Sequence, residues 1–194
     1  HACTYKKSLI TLKLIPEILD LELVFKQMSK FIEICQETNN EQFICLSINV
    51  AFDIFTVVKE NVKKIDVDTF RQFLGHTFRI GCNELYATST RLSAFLLYIS
   101  SNYFINSHFA ENCNQVILPH LQHDKTKLIF LSAKISANLM KIDDIDDFLE
   151  FGFTVSKKDS NASTIFTRSL AEILHQNLKN FEKRSLDYKK LLAS

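Results

Sequence analysis

The chain has 194 residues, 46% of them hydrophobic, and a formal net charge of +1 at pH 7 with histidine neutral. This composition excludes wholesale disorder, and the near-zero charge leaves no global field that would attract nucleic acid or an anionic membrane. Only 3 glycines and 2 prolines occur, too few for the frequent turns of an all-β domain. No uncharged apolar run reaches the roughly 18 residues of a membrane span. The composition therefore predicts long helices with short connections.

Apolar residues recur at three- and four-residue steps along most of the chain, which is the pattern of helices with a buried face. In chain order, the predicted helices cover approximately residues 3–14, 17–36, 41–63, 67–82, 88–104, 107–121, 124–140, 145–155 and 163–192. Residues 38–40 are predicted as a turn, and Gly81-Cys82-Asn83 as a helix end, because Gly and Asn accept the left-handed conformation. Asp124 is predicted to cap one helix, and Ser160 or Asn161 the last.

Residues 106–142 are the most regular part of the sequence, with two apolar helices joined by a short polar turn at His123-Asp124. The first helix carries Pro119, and the second is rich in Ala and Leu. This hairpin resembles HEAT repeats, which likewise have a proline in the first helix, an aspartate at the turn and an Ala/Leu-rich second helix. Similar pairs precede and follow it, at the spacing of about 40 to 50 residues that is typical of HEAT and armadillo arrays.

The predicted pairs begin near residues 17, 67, 107 and 145. The resemblance implies an all-α fold of stacked antiparallel helical hairpins, a HEAT/armadillo-like α-solenoid of eight or nine helices. An irregular α-helical bundle with the same helices is the alternative. Residues 1–194 are expected to form a single helical-repeat domain. Because the sequence starts without an initiator methionine, we expect it to be a fragment of a larger protein.

The five cysteines are odd in number and widely spaced: Cys3, Cys35, Cys45, Cys82 and Cys113. All but Cys3 lie within apolar helical runs. Reduced core thiols of an intracellular protein explain this pattern better than a disulfide framework does. The pattern fits the cytoplasm and the nucleus equally well.

Two groups of residues suggest metal sites, but each has a simpler explanation. His120 and His123, with Cys113 nearby in sequence, are zinc-ligand types without a fourth ligand. The acidic run 143–147 offers carboxylates to a cation, yet acidic residues in a first helical turn also complement the helix dipole. The sequence has no nucleophile elbow, phosphate-binding glycine loop or zinc-protease motif. We therefore expect no metal, no cofactor and no catalytic residue, and we predict that the chain is not an enzyme.

A set of basic and aromatic residues, here called the basic seam, is the main candidate for binding. Its members recur about every seven residues along three of the predicted helices: Arg91 and Tyr98; Lys127, Lys134 and Lys141; Arg168, His175 and Lys179. In a solenoid the second helices line a common surface, so the seam would form a shallow positive groove for an acidic peptide or a phosphate backbone. The alternative is that these residues are the ordinary charged edges of amphipathic helices.

The sequence thus predicts a non-catalytic scaffold or adaptor that binds another protein or peptide. The alternative is RNA or single-stranded nucleic-acid binding through the basic seam, as in helical-repeat domains that resemble the middle domain of translation initiation factor 4G. A second alternative is an accessory helical domain of a larger enzyme. Self-association through apolar surface at the open ends of the array is also predicted.

Overall fold

The computed structural model describes residues 20–58, 67–106, 109–141 and 144–192. Within these ranges there are eight α-helices, with one 3-10 helix (Leu118–His120) between the fifth and the sixth: α1 (Leu21–Glu37), α2 (Glu41–Val58), α3 (Val67–Cys82), α4 (Thr88–Ile105), α5 (Phe109–Val116), α6 (Asp124–Ser136), α7 (Asp144–Ser156) and α8 (Ser160–Leu192). The described ranges contain no β-strand, so the all-α prediction is confirmed. The predicted helix at 3–14 and the end of the one at 41–63 lie outside the described residues.

Six of the eight described helices pack in three pairs, and the second helices of the predicted pairs stack on one another. Helix α1 packs against α2, α3 against α4, and α7 against α8. The second helices of the predicted pairs, α2, α4, α6 and α8, form a continuous row in which each contacts the next. Helix α1 also contacts α3, and α7 contacts α6. Three of the predicted pairs, which begin at residues 21, 67 and 144, therefore pack together, whereas α5 packs on its 3-10 turn and on α4 and is not closely packed against α6.

Two apolar clusters fill the stack, and α4 contributes to both. The first joins α1 to α4 and contains the buried rings of Phe25, Phe55 and Phe73. The second joins α4 to α8 and is centred on Phe95 and Phe130, whose ring centroids are 5.2 Å apart. Because α6 has neighbours on several sides, nine of its 13 residues are buried. Burial in this helix is therefore not confined to one stripe.

Two asparagines in the left-handed region form the tight turns of the stack. Asn39, with φ 51°, lies in the predicted turn between α1 and α2, and Asn138, with φ 57°, follows α6. Helix α3 ends at Cys82 as predicted. However, neither Gly81 nor Asn83 has a positive φ, so this predicted helix end forms without a left-handed residue.

The helix starts differ from the predicted caps by one or two residues. At α8, the Asp159 carboxylate accepts hydrogen bonds from the backbone N–H groups of Asn161 at 2.7 Å and Ala162 at 3.3 Å. The predicted caps, Ser160 and Asn161, are therefore wrong. Asp124 is the first residue of α6 rather than its cap, where its charge still complements the helix dipole.

Pro119 ends a helix earlier than the sequence predicts. Helix α5 stops at Val116 instead of continuing to Leu121, and Pro119 lies in the separate 3-10 turn. Proline has no N–H group, its ring clashes with the carbonyl four residues before it, and it disfavours a helical residue immediately ahead. The chain therefore leaves the axis of α5 before it reaches the turn into α6.

Gly152 of α7 is a point of close approach, because a Cβ there would overlap the Phe166 ring of α8. Gly152→Ala is expected to lower the free energy of unfolding by about 1–3 kcal/mol, since the ring must move within a packed core. Gly75 on the exposed side of α3 is the matched control, because a Cβ there has no neighbour within 4 Å. Gly75→Ala should raise stability by roughly 0.5–1 kcal/mol through helix propensity. Urea unfolding of both variants tests this, and effects of the same sign would contradict the assigned packing.

Candidate partner-binding groove

An open groove of about 640 Å³ lies between α6, α7 and the end of α5 with its 3-10 turn. Its apolar lining residues are here called the floor: Leu118, Pro119, Leu131, Met140, Phe148 and Phe151. Leu131 and Phe148 are buried, and the other four are at least partly exposed. Its polar and charged lining residues are here called the rim: Gln115, Lys127, Lys141, Asp144 and Asp147. An apolar lining with a few polar groups, at this volume, is typical of binding sites.

Two local features of the sequence create this groove. Pro119 stops α5 and places the 3-10 turn along one wall. On the other side, Asn138 reverses the chain after α6, with the Leu139 N–H donating to the Lys134 carbonyl at 3.0 Å. The reversal brings α7 back along α6, so that Phe148 shares the floor with residues of α6.

Lys134 of α6 is 1% exposed and is not part of the groove lining. Its Nζ is 3.7 Å from Oδ2 of Asp144, a rim carboxylate that is 35% exposed. Burial raises the pKa of the Cys113 thiol on α5, and the hydrogen-bonded Lys134 ammonium offsets part of this rise. One ammonium on α6 therefore contacts side chains of both α5 and α7, the other two walls of the groove.

Arg91 is a second buried cation, 2% exposed, at the junction of α3, α4 and α6. Its Nε donates to the Gly81 carbonyl at 2.9 Å, and its Nη2 donates to the Thr126 hydroxyl. That hydroxyl in turn donates to Glu84 Oε1 at 3.3 Å. Burial lowers the pKa of the Arg91 guanidinium, while the Glu84 carboxylate opposes this effect. The guanidinium thus joins the end of α3 to the start of α6.

The structure removes two members of the basic seam from the surface. Arg91 and Lys134 are buried, so the expectation that they line a surface groove is wrong. The reason is that α4 and α6 are each enclosed by several neighbouring helices. Tyr98 is half-buried, with its ring centroid 4.8 Å from that of Phe78.

The remaining members of the basic seam do not form one continuous surface. Lys127 and Lys141 both line the groove between α5, α6 and α7. Arg168 and His175 are exposed on α8 but are not part of the groove lining. The side chain of Lys179 lies outside the described residues. The structure therefore brings two of the eight predicted residues together at one candidate site.

Sequence reasoning missed the apolar floor of the groove. Leu118, Met140 and Phe151 are half-buried and pack against the second apolar cluster. Their periodicity is that of ordinary core residues, so the sequence carries no signal that one side of each faces an open groove. The sequence favours reading the acidic residues 143–147 as a helix start that complements the helix dipole rather than as part of a site.

A separate apolar surface lies on the first helix pair. Leu23, Phe31 and Ile34 of α1, with Phe43 and Leu46 of α2, are each about half exposed. These helices form one end of the described row, where the sequence predicts self-association. Self-association itself stays a prediction.

His76 is a buried histidine between α1 and α3. Its Nε2 donates to Gln36 Oε1 at 2.6 Å, and Gln36 Nε2 donates to the Tyr86 hydroxyl at 3.2 Å. Burial and then the nearby Arg79 lower the pKa of His76, while Glu33, with Oε1 4.0 Å from Nδ1, opposes them. The neutral imidazole is therefore the form that the folded protein favours.

This environment predicts that His76 makes stability depend on pH. Because its pKa is lower in the folded chain than in the unfolded chain, acid protonates the unfolded chain first. The contribution of neutral His76 to the free energy of unfolding is complete above about pH 6.5. It is lost as the pH falls towards the pKa of His76 in the folded chain. Wild type should lose more unfolding free energy than His76→Gln between about pH 7.5 and about pH 5.5. Equal losses of unfolding free energy in wild type and in His76→Gln, measured by urea unfolding at the two pH values, would contradict this prediction.

The candidate metal ligands are dispersed or otherwise engaged. In the described ranges, no group of three or more His, Cys, Asp and Glu residues is placed to hold a metal ion. His123 Nδ1 lies 3.9 Å from Glu84 Oε1, and Asp144 pairs with Lys134; Asp143 lies outside the described residues. No disulfide joins the four cysteines of the described part. The side chains that the groove provides for binding are thus the apolar and charged residues of its lining.

Comparison with known proteins adds no relative: no family model, no curated protein and no solved structure matches this chain. The all-α class is established by the helices themselves, and the resemblance to HEAT repeats stays a prediction. Among the described helices, none is both long and apolar enough to cross a lipid bilayer.

Proposed function

We propose that this chain is a non-catalytic helical scaffold that binds a segment of a partner protein in the groove between α5, α6 and α7. The observation that carries the proposal is the groove itself, with six apolar side chains on its floor and charges of both signs on its rim. An apolar floor stabilises a protein segment by removing its apolar side chains from water, and a charged rim adds specificity.

The composition of the rim favours a protein partner over a nucleic acid. Asp144 and Asp147 line the groove beside Lys127 and Lys141, so a phosphate backbone would meet carboxylates as well as ammonium groups. Arg91 and Lys134 are buried and provide no surface contact to phosphates. Nucleic-acid binding depends mainly on phosphate neutralisation, which this groove supports poorly. The HEAT-like reading of the stack is part of the same proposal, because such arrays present binding surfaces along their helices.

A groove-blocking substitution tests the proposal. Gln115 is an exposed residue at the rim, so Gln115→Trp adds bulk over the floor without removing a buried contact. Gln72→Trp is the matched control, since Gln72 is also exposed in a helix, α3, that does not line the groove. Displayed random peptides of roughly 12–16 residues, three to four helical turns, are selected on the wild-type domain.

The recovered peptides are then titrated against all three proteins by fluorescence anisotropy. Gln115→Trp should weaken binding by about tenfold or more, equivalent to 1.4 kcal/mol, whereas Gln72→Trp should leave the affinity unchanged. Circular dichroism and urea unfolding establish that both variants fold. Peptides that bind Gln115→Trp as tightly as wild type would contradict the proposal. Failure to recover peptides, together with tight binding of labelled single-stranded RNA, would favour the nucleic-acid alternative.

A further inference from the structure

The exposed apolar residues of the first helix pair are concentrated at one level of that pair. They are here called the end patch and are each about half exposed: Leu23, Phe31 and Ile34 of α1, with Phe43 and Leu46 of α2. A tight turn at residues 38–40 joins α1 to α2, so the first turns of α2 lie beside the last turns of α1. Four of the five residues therefore lie at nearly the same level, and Leu23 extends the patch along α1.

A charged edge runs along α1 beside the end patch. It consists of four exposed residues: Lys26, Lys30, Glu33 and Glu37. At about 100° per residue, these four fall within about 60° of one another around the helix, next to Leu23 and Ile34. The edge is therefore positive in its first half and negative in its second half.

Contacts within the described part of the chain do not account for this order of charges. The two lysines are four residues apart, as are the two glutamates, and like charges at this spacing repel each other. Glu37 is the last residue of α1, where the helix dipole disfavours a carboxylate. Neither lysine has an ion-pair partner among the described residues, nor has Glu37, while Glu33 lies 4.0 Å from Nδ1 of His76. The edge thus carries charges that a second molecule can pair with.

The order of charges is complementary to itself under a two-fold axis. The inner positions, Lys30 and Glu33, are centred midway between residues 31 and 32, and the outer positions, 26 and 37, have the same centre. An axis perpendicular to α1 at that level places each lysine opposite a glutamate of a second copy. Phe31 lies within about 1 Å of this level along the helix, and Ile34 within about 4 Å. The charged edge and the apolar residues are therefore centred on the same axis.

Only an antiparallel pair of α1 helices brings the two charged edges together. When the end patches of two copies face each other with α1 antiparallel, both charged edges lie on the same side of the contact. When α1 is parallel, a two-fold axis places the two edges on opposite sides. A second copy is therefore an occupant whose charges match this surface residue by residue, as an isologous contact requires.

We propose that two copies of this chain form a dimer through the end patch, with their α1 helices antiparallel. Lys30 of each copy pairs with Glu33 of the other. Lys26 of each copy pairs likewise with Glu37 of the other. Removal of the apolar side chains from water favours association, and the charges select the antiparallel register. This surface is separate from the groove, so the inference is independent of the proposed function.

Charge exchange between two variants tests this dimer. Lys26→Glu/Lys30→Glu makes the charged edge wholly acidic, and Glu33→Lys/Glu37→Lys makes it wholly basic. Each variant alone should dimerise about tenfold or more weakly than wild type, because like charges then meet across the axis. An equimolar mixture should form a heterodimer at least as tight as the wild-type dimer, since every opposing pair is again opposite in charge. Sedimentation equilibrium of the full chain between about 1 µM and about 200 µM measures these affinities.

A control variant and a folding test accompany this experiment. Lys157→Glu/Lys158→Glu is the matched control, because both lysines are exposed after α7, at the other end of the described row. It should dimerise as wild type does. Urea unfolding at about 1 µM, where the chain is expected to be monomeric, establishes that all variants fold.

Dimerisation that each charge reversal weakens and that the mixture restores would support the proposal. A chain that stays monomeric up to about 200 µM would overturn it and leave the end patch to the segment before α1 or to a different protein. A dimer that neither reversal weakens would also overturn it, because association then uses another surface. Weakening in both variants without recovery in the mixture would exclude the antiparallel register.

Discussion

Replacing Arg91 with alanine is expected to lower the free energy of unfolding by about 3–5 kcal/mol, because it removes one member of a buried charged network and leaves a cavity. The Gly81 carbonyl and the Thr126 hydroxyl each lose the donor that now satisfies them. The substitution also breaks the chain of hydrogen bonds that runs from Arg91 through the Thr126 hydroxyl to Glu84. Urea unfolding of the variant and of wild type measures the difference.

Two further substitutions separate the causes of this loss. Arg168→Ala is the matched control, since Arg168 is exposed on α8, and surface substitutions usually change stability by less than about 0.5 kcal/mol. Arg91→Lys keeps the charge but replaces a planar fork by a single ammonium, which does not reproduce both hydrogen bonds. Its stability should fall between those of wild type and Arg91→Ala. An Arg91→Ala variant as stable as Arg168→Ala would show that the guanidinium is not an internal link.

The sequence predicts the helices of this fold better than it predicts which charges are buried. The period of three and four residues identifies the helices because each must bury a face, whichever neighbour covers it. The seven-residue spacing of Lys127, Lys134 and Lys141 predicts that they share one edge of a helix, although α6 ends at Ser136, before Lys141. It does not show that this edge changes from half exposed at Lys127 to buried at Lys134. That change depends on α5 and α7, which are distant from Lys127 in sequence but adjacent to α6 in space.

One signal for the enclosure of α6 was present in its composition. Residues 128–131 and residues 133 and 135 are apolar, and they cover more of the helix circumference than one core-facing stripe requires. A lysine within such a helix has little exposed edge left to occupy. No comparable sequence pattern predicts the burial of Arg91, because its burial depends on how the start of α6 packs near the end of α3.

The groove could be predicted only in part. Pro119 and the turn after α6 are visible in the sequence, and each disrupts a helix for a known steric reason. The space between α5 and α7 depends on where those disruptions place the two helices around α6. Sequence patterns identify the residues that are apolar, but the three-dimensional packing decides that Met140 and Phe151 keep one side open.

Lys134→Glu is expected to lower the free energy of unfolding by about 3–5 kcal/mol or more, since it places a second carboxylate beside Asp144 at a position closed to water. Because domains are stable by only about 5–15 kcal/mol, a loss of this size would shift the urea midpoint strongly and could reduce helical circular dichroism. The buried ammonium itself is expected to matter much less. Lys134→Met keeps the length and packing of the side chain and leaves Asp144 able to contact water, so its stability should lie within about 1 kcal/mol of wild type.

The contrast between these two variants tests whether Lys134 belongs to the interior or to a binding surface. Lys30→Glu on α1 supplies the control for charge reversal at an exposed lysine, with an expected effect below about 0.5 kcal/mol. If Lys134→Glu changes the free energy of unfolding as little as Lys30→Glu does, Lys134 is exposed. It could then bind a partner as a member of the basic seam. If Lys134→Glu unfolds while Lys134→Met stays folded, the charge is enclosed between α5, α6 and α7. The lysines that line the groove are then Lys127 and Lys141, because the buried Lys134 is not part of its lining.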